Sequence, residues 1–303
     1  MRLPFRRYSL ATLFVVITIT SVGMAVVHYA GRRSIQNLQD AVLQNTPSEY
    51  LFSADLQYAD EVAAVSRWGV AGDAAKLLAG WASDDQQKLR TNARRALAEL
   101  LNEMPSDVLL EWLSEDFGGW VAVELAGRKD SVFSELQSIL LNSPDEKERG
   151  FAALVFAQAA ALDLATPRDV ALLCDVLRHD PAPLVRGTCA GALKYSQSFL
   201  SASVPALIYS VNNDSNVDVV FSSARVLGQL NDACFDQVSG RLLTMLASSD
   251  VKTRLRGVSA ISWFSAHAEE ALPILRTMAA SDEDDNARKQ AAEMVEYIEK
   301  TTR

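Results

Sequence analysis

The chain has 303 residues, a formal net charge of −9 and 49% apolar residues. That negative balance argues against a surface built to neutralise phosphates, so no nucleic acid is expected as a partner. The apolar share suffices for a continuous core, and strand-like alternating runs are missing after residue 40, which points to an all-α fold.

The N-terminus comes first. Arg2, Arg6 and Arg7 precede a run from Ser9 to Gly31 that holds no Asp, Glu, Lys or Arg, and Arg32 and Arg33 follow it. A helix of about 20 residues spans the hydrocarbon core. We therefore expect a short basic N-terminus at 1–8 and a single transmembrane helix at 9–31. A cleaved signal peptide, cut near Gly23-Met24-Ala25, is the competing reading, although its apolar region is usually about 7–15 residues. Three arginines before the run against two after it favour a cytoplasmic N-terminus and a domain on the far side. Ser21 and Ala25 form a small-xxx-small pair, which suits a homodimer through this helix.

Arg6-Arg7-Tyr8-Ser9-Leu10-Ala11-Thr12-Leu13 resembles an anchor of the form RRxSLxTL found at the start of many otherwise unrelated bacterial proteins. The resemblance implies a single-pass anchor in the bacterial inner membrane and no activity. Arg6-Arg7 also suits a twin-arginine export signal, but the flanking residues match that signal poorly.

Residues 32–60 read as an amphipathic stalk or linker that continues the transmembrane helix or packs on the first repeat. Ile35, Leu38, Val42 and Leu43 fall at helical spacing before Thr46-Pro47-Ser48 breaks the pattern. From residue 61 to 303 the pattern is a repeat. An acidic turn is followed by an arginine, then a small residue and an apolar one. Aligned on the arginine, the equivalents are Arg90, Gly119, Arg149, Arg186, Val220, Arg256 and Arg288, at intervals of 29, 30, 37, 34, 36 and 32. Fixed-period self-similarity marks stacked supersecondary units. The expectation is a right-handed α-solenoid of about seven helix pairs, closed by a polar last helix whose apolar stripe is Ala291, Met294, Val295 and Ile298.

Capping signals punctuate the pairs. Ser143-Pro144-Asp145-Glu146 suits an N-cap at Ser143 with Pro144 in the first helical position, and Thr166-Pro167-Arg168-Asp169 repeats that logic. The repeats resemble the HEAT family, including the HEAT-like repeats of bilin lyases, most strongly from Thr166 onward and least at 105–127. That resemblance implies a fold; the family spans scaffolds, adaptors and a few enzymes.

No nucleophile constellation, zinc spacing or phosphate loop is present, so we assign no catalytic group, metal or cofactor. Cys174, Cys189 and Cys234 form no CxxC pair; they suit buried thiols, with a Cys174–Cys189 disulfide as the alternative. The acid–arginine spacing reads as a ladder that fixes repeat stacking, carried by Asp180, Arg186, Asp250, Arg256 and Arg288, or else as an anion-binding stripe. The polar and aromatic residues Arg94, Arg95, Glu99, Asn102, Trp120 and Glu124 are the expected partner-binding site. Together these features predict a membrane-anchored protein–protein interaction scaffold using the concave second-helix face. A lyase-type enzyme acting on a chromophore and its acceptor protein, and a nucleic-acid-binding HEAT-like protein, are the alternatives.

Overall fold

The computed structural model describes residues 29–41, 64–65, 70–83 and 87–301. The anticipated transmembrane segment therefore falls almost wholly outside the described residues. Among the described residues no helix is long and apolar enough to cross a membrane, and none is in a strand. They form two compact units that divide between Glu124 and Leu125.

In the first unit, helix α1 covers residues 29–41. Its buried stripe is Gly31, Ser34 and Leu38, spaced so that one helical face meets the protein. Gly31 is required there, because a Cβ on it would lie 2.7 Å from the Val70 side chain. This part of the expected stalk packs on its own unit. Helices α2 (Ala71–Ala82) and α3 (Gln87–Glu103) form the first described pair. Helices α4 (Ser106–Glu111) and α5 (Gly118–Ala126) follow, with a 3-10 turn at Trp112–Ser114. Trp112 packs edge-on against Phe117 at 5.7 Å between centroids and lies beside Gly72 of α2. Gly118-Gly119 opens α5.

The second unit holds five helix pairs. They are α6 (Phe133–Asn142) with α7 (Glu146–Ala161), α8 (Pro167–His179) with α9 (Pro183–Ala192), and α10 (Leu200–Asn213) with α11 (Val217–Asn231). Then come α12 (Ser239–Leu246) with α13 (Val251–Ile261), and α14 (Leu272–Ser281) with α15 (Asp285–Thr301). First helices pack on first helices and second helices on second helices, giving two layers around a core of leucine, valine and alanine.

The sequence sets the helix starts by side-chain caps. Thr166 and Asp169 form the reciprocal capping box at α8. Asn216 caps α11 and Asp250 caps α13. At α7 the cap is Asp145, whose carboxylate accepts from the Lys147 N–H at 2.8 Å, two residues later than the Ser143 expected from sequence. Ser143 instead accepts the Asp145 N–H at 3.1 Å. All three cysteines are buried and free. Burial pushes the Cys174 thiol up to about 11, so these are inert apolar fillers.

A ladder of buried arginine–aspartate pairs ties successive repeats together. Arg149 Nε and Nη2 donate to Asp180 at 2.8 and 3.1 Å. Arg186 donates to Asp214 at 2.7 and 2.8 Å, and Arg254 to Asp282 at 2.7 and 2.7 Å. Each arginine also donates through Nη1 to the carbonyl six residues before it, on Ser143, Asp180 and Ser248 respectively. Arg288 repeats that bond to the Asp282 carbonyl.

In the sixth pair the position is therefore held by Arg254, two residues before the Arg256 chosen by sequence alignment. Arg256 points elsewhere and pairs with Asp218 at 2.8 Å. Asp250 is the α13 cap, not a rung. With that change, Arg186, Val220, Arg254 and Arg288 stand 34 residues apart, and so do Asp180, Asp214, Ser248 and Asp282.

Arginine and acid are lost together. Val220 has no arginine to offer, and the acid it would meet in the next turn is Ser248. Ser248 keeps the other task of that position, accepting the Asp250 N–H at 3.2 Å, as Asp214 does for Asn216 at 2.8 Å. The carbonyl left without its arginine, on Asp214, is taken by Arg241 of α12 at 3.2 Å. A buried carboxylate without its cation would be strongly destabilising, so the pair disappears as a unit.

Candidate protein-interaction face

The residues expected to bind a partner all lie in the first unit. Arg94 donates from Nε to the Ala82 carbonyl at 3.1 Å, and its guanidinium lies 5.6 Å from the Trp120 ring centroid. The structure thus brings Arg94 and Trp120 together. Arg95 and Asn102 are exposed, while Glu99 and Glu124 are half-buried on α3 and α5.

A larger opening lies in the second unit. A groove of about 600 Å³ runs across the second helices α11, α13 and α15, lined by Phe221, Val258, Ser259, Ser262, Trp263, Gln290, Glu293, Met294 and Tyr297. Trp263 is 38% and Tyr297 49% exposed. Met294, expected in the buried stripe of the last helix, is half-buried and faces this groove instead. The buried positions on α15 are Ala287, Ala291 and Ile298.

Local sequence explains why the aromatics stand out. A position near the end of the second helix, or in the 3-10 turn that follows it, recurs every 34 residues at Tyr195, Gln229, Trp263 and Tyr297, and all four are exposed. This is the period of the arginine ladder. The rungs set the pitch of the stack, and a residue at fixed distance from the rung faces the same side in each repeat. The backbone approach at Trp263 depends on Gly228 of α11, where a Cβ would come within 2.6 Å of both the Trp263 Cβ and its carbonyl.

The groove has two electrostatic ends. At the α11 end Arg256 lies 4.8 Å from the Phe221 ring and pairs with Asp218. Lys252 also reaches Asp218, and its bond, followed by that of Arg256, holds the Asp218 carboxyl below the ordinary aspartate range. Arg225, one helical turn from Phe221, is half-buried with an unpartnered Nε. At the α15 end Glu293 is the one charged lining residue, in an exposed i,i+4 ion pair with Lys289 at 4.0 Å.

Comparison with known proteins agrees with this architecture. Residues 204–296 match a family model described as HEAT repeats. The match covers α11, α13 and the groove lining except Tyr297, but less than half of the chain. No curated protein matches the chain. Among solved structures, it is similar to the HEAT-like repeats protein from the archaeon Thermococcus onnurineus NA1, at 13% identity and a TM-score of 0.42, covering 89% of this chain and 98% of that one. It is similar also to computationally designed armadillo repeat proteins for modular peptide recognition, at 16% identity and a TM-score of 0.41, covering 74% and 98%.

Sequence reasoning placed the site in the first unit because three of the five tryptophans fall within residues 81–120. It passed over Trp263 and Tyr297. The 34-residue recurrence was the available signal, and it was hidden while Arg256 stood in for Arg254.

Proposed function

We propose that the chain is a membrane-tethered protein-interaction scaffold whose second-helix face captures a partner protein. The single observation that carries this is the groove across α11, α13 and α15, with Trp263 and Tyr297 exposed over it. Exposed aromatic side chains around a concavity are the residues that dominate binding energy at protein interfaces. The repeat stack offers a fixed surface for it, since the buried ladder holds neighbouring pairs in one register. The tether is the apolar run at 9–31, and its arginine balance and RRxSLxTL-like start support a bacterial inner membrane with the domain outside the cytoplasm.

The test is crosslinking of the full-length protein in its own cells, followed by mass spectrometry, with wild type and a W263A/Y297A variant in parallel. A stoichiometric partner crosslinked beside α11, α13 or α15, and lost from the variant, supports the reading. A partner captured equally by both sinks the proposed face. Membrane fractionation with protease added to intact and lysed cells tests the tether and its orientation. Recovery in the soluble fraction would remove both.

A further inference from the structure

The aromatic rings of the second unit, from buried Phe133 and half-buried Phe221 to exposed Tyr195 and Tyr209, are not all alike. Arg168 lies 3.3 Å from the Phe133 ring, Lys194 5.5 Å from Tyr195, Arg178 5.9 Å from Tyr209 and Arg256 4.8 Å from Phe221. The chain covers these rings with its own cations. Among the described residues Trp263 and Tyr297 carry no such cover, and they are the two at the acidic end of the groove.

We propose that this end receives an arginine or lysine side chain from an extended segment of the partner protein, stacked on Trp263 or Tyr297 with Glu293 as its counter-ion. The proposal rests on the scaffold reading and gives its partner a charge. A cation over an aromatic face is attracted by the ring quadrupole, more so where water is displaced. An apolar occupant would strip water from Glu293 and leave that carboxylate only its long contact with Lys289. An acidic one would be repelled by it, and by the chain as a whole at −9. The α11 end, already cationic through Arg256 and Arg225, would repel a second positive group, so the cation belongs at the α15 end. Gln290, Ser259 and Ser262 line the same groove and offer hydrogen-bonding groups to the segment's backbone.

Fluorescence anisotropy on the full-length protein in mild detergent tests this with three labelled peptides. One alternates arginine and leucine, one replaces arginine by citrulline, and one replaces it by glutamate. The arginine peptide is expected to bind, the citrulline peptide about tenfold more weakly, and the glutamate peptide not at all. W263A and Y297A should each weaken the arginine peptide about tenfold. E293Q should weaken it and flatten its salt dependence, with circular dichroism and melting confirming that each variant is folded.

Equal binding of the citrulline and arginine peptides overturns the proposal, as does an E293Q variant that binds the arginine peptide like wild type. Unchanged binding to W263A and Y297A overturns it too, since the attraction would then be non-specific charge. If the crosslinked partner is lost from W263A/Y297A while the arginine peptide fails, the scaffold reading survives and the cationic partner does not. If neither depends on these rings, both fall.

Discussion

Arg254 and Asp282 are 28 residues apart in sequence and meet as a two-point pair, Nε to Oδ2 and Nη2 to Oδ1, both at 2.7 Å. Their side chains are almost wholly shielded from solvent. The arginine comes from the second helix of one repeat, the aspartate from the turn of the next. One aspartate oxygen also accepts the Asp284 N–H at 3.0 Å. The pair therefore fixes a turn and an inter-repeat spacing at once.

Breaking that pair from one side leaves the other charge stranded. R254A or D282A should each lower unfolding free energy by about 3 kcal/mol. The R254M/D282N double variant should lose clearly less than the sum of the two single losses. Urea unfolding of the three variants checks this; additive losses would mean that the two groups do not act as a pair.

Acid should loosen the same joint. The Arg254 guanidinium holds the Asp282 carboxyl below the ordinary aspartate range, against the opposing effect of burial. A carboxyl whose pKa is depressed in the folded state adds stability that is fully present above its unfolded value of about 3.9. That stability is lost as pH falls through the folded value. D282N should therefore flatten the decline of melting temperature below about pH 4. A decline as steep as that of wild type would remove Asp282 from the acid response.

The coupled loss of arginine and acid at the fifth rung is testable by restoring it. V220R places a cation at a fully buried position and should cost about 3 kcal/mol. V220R/S248D should recover more than half of that loss, with the new arginine competing with Arg241 for the Asp214 carbonyl. If S248D adds no recovery, geometry at this rung, and not the missing charge partner, keeps the arginine out.

Gly228 is the residue through which packing presents Trp263. G228A puts a Cβ 2.6 Å from Trp263, so α11 and the Trp263 backbone must move apart. The expected cost is about 1–3 kcal/mol, with weaker crosslinking of any partner held at Trp263. Unchanged melting and capture would show that the contact yields freely.

Lys129 was invisible as a special residue. It is 2% exposed, and its ammonium bonds to Asp130 at 2.6 Å and Asp169 at 3.0 Å. Burial disfavours the charge, but these two bonds outweigh it and hold the group above the ordinary lysine range. Nothing local in Arg128-Lys129-Asp130 distinguishes it from a solvated turn lysine. Its partner Asp169 is the capping residue of a helix 40 residues on.

The sequence by itself determined that the chain is helical, that it repeats, and where most turns lie. Those properties depend on local causes: caps such as Thr166 and Asn216, prolines such as Pro183 at helix starts, and an apolar period matched to the helix. It did not decide which arginine is the rung, because Arg254 and Arg256 lie on one helix two residues apart and look equivalent in one dimension. They point about 200° apart around the helix axis, so only one of them faces the Asp282 turn of the next repeat. The same reason hid the groove. Trp263, Met294 and Tyr297 carry the signature of core residues, and only the packing of α11, α13 and α15 decides that they face outward.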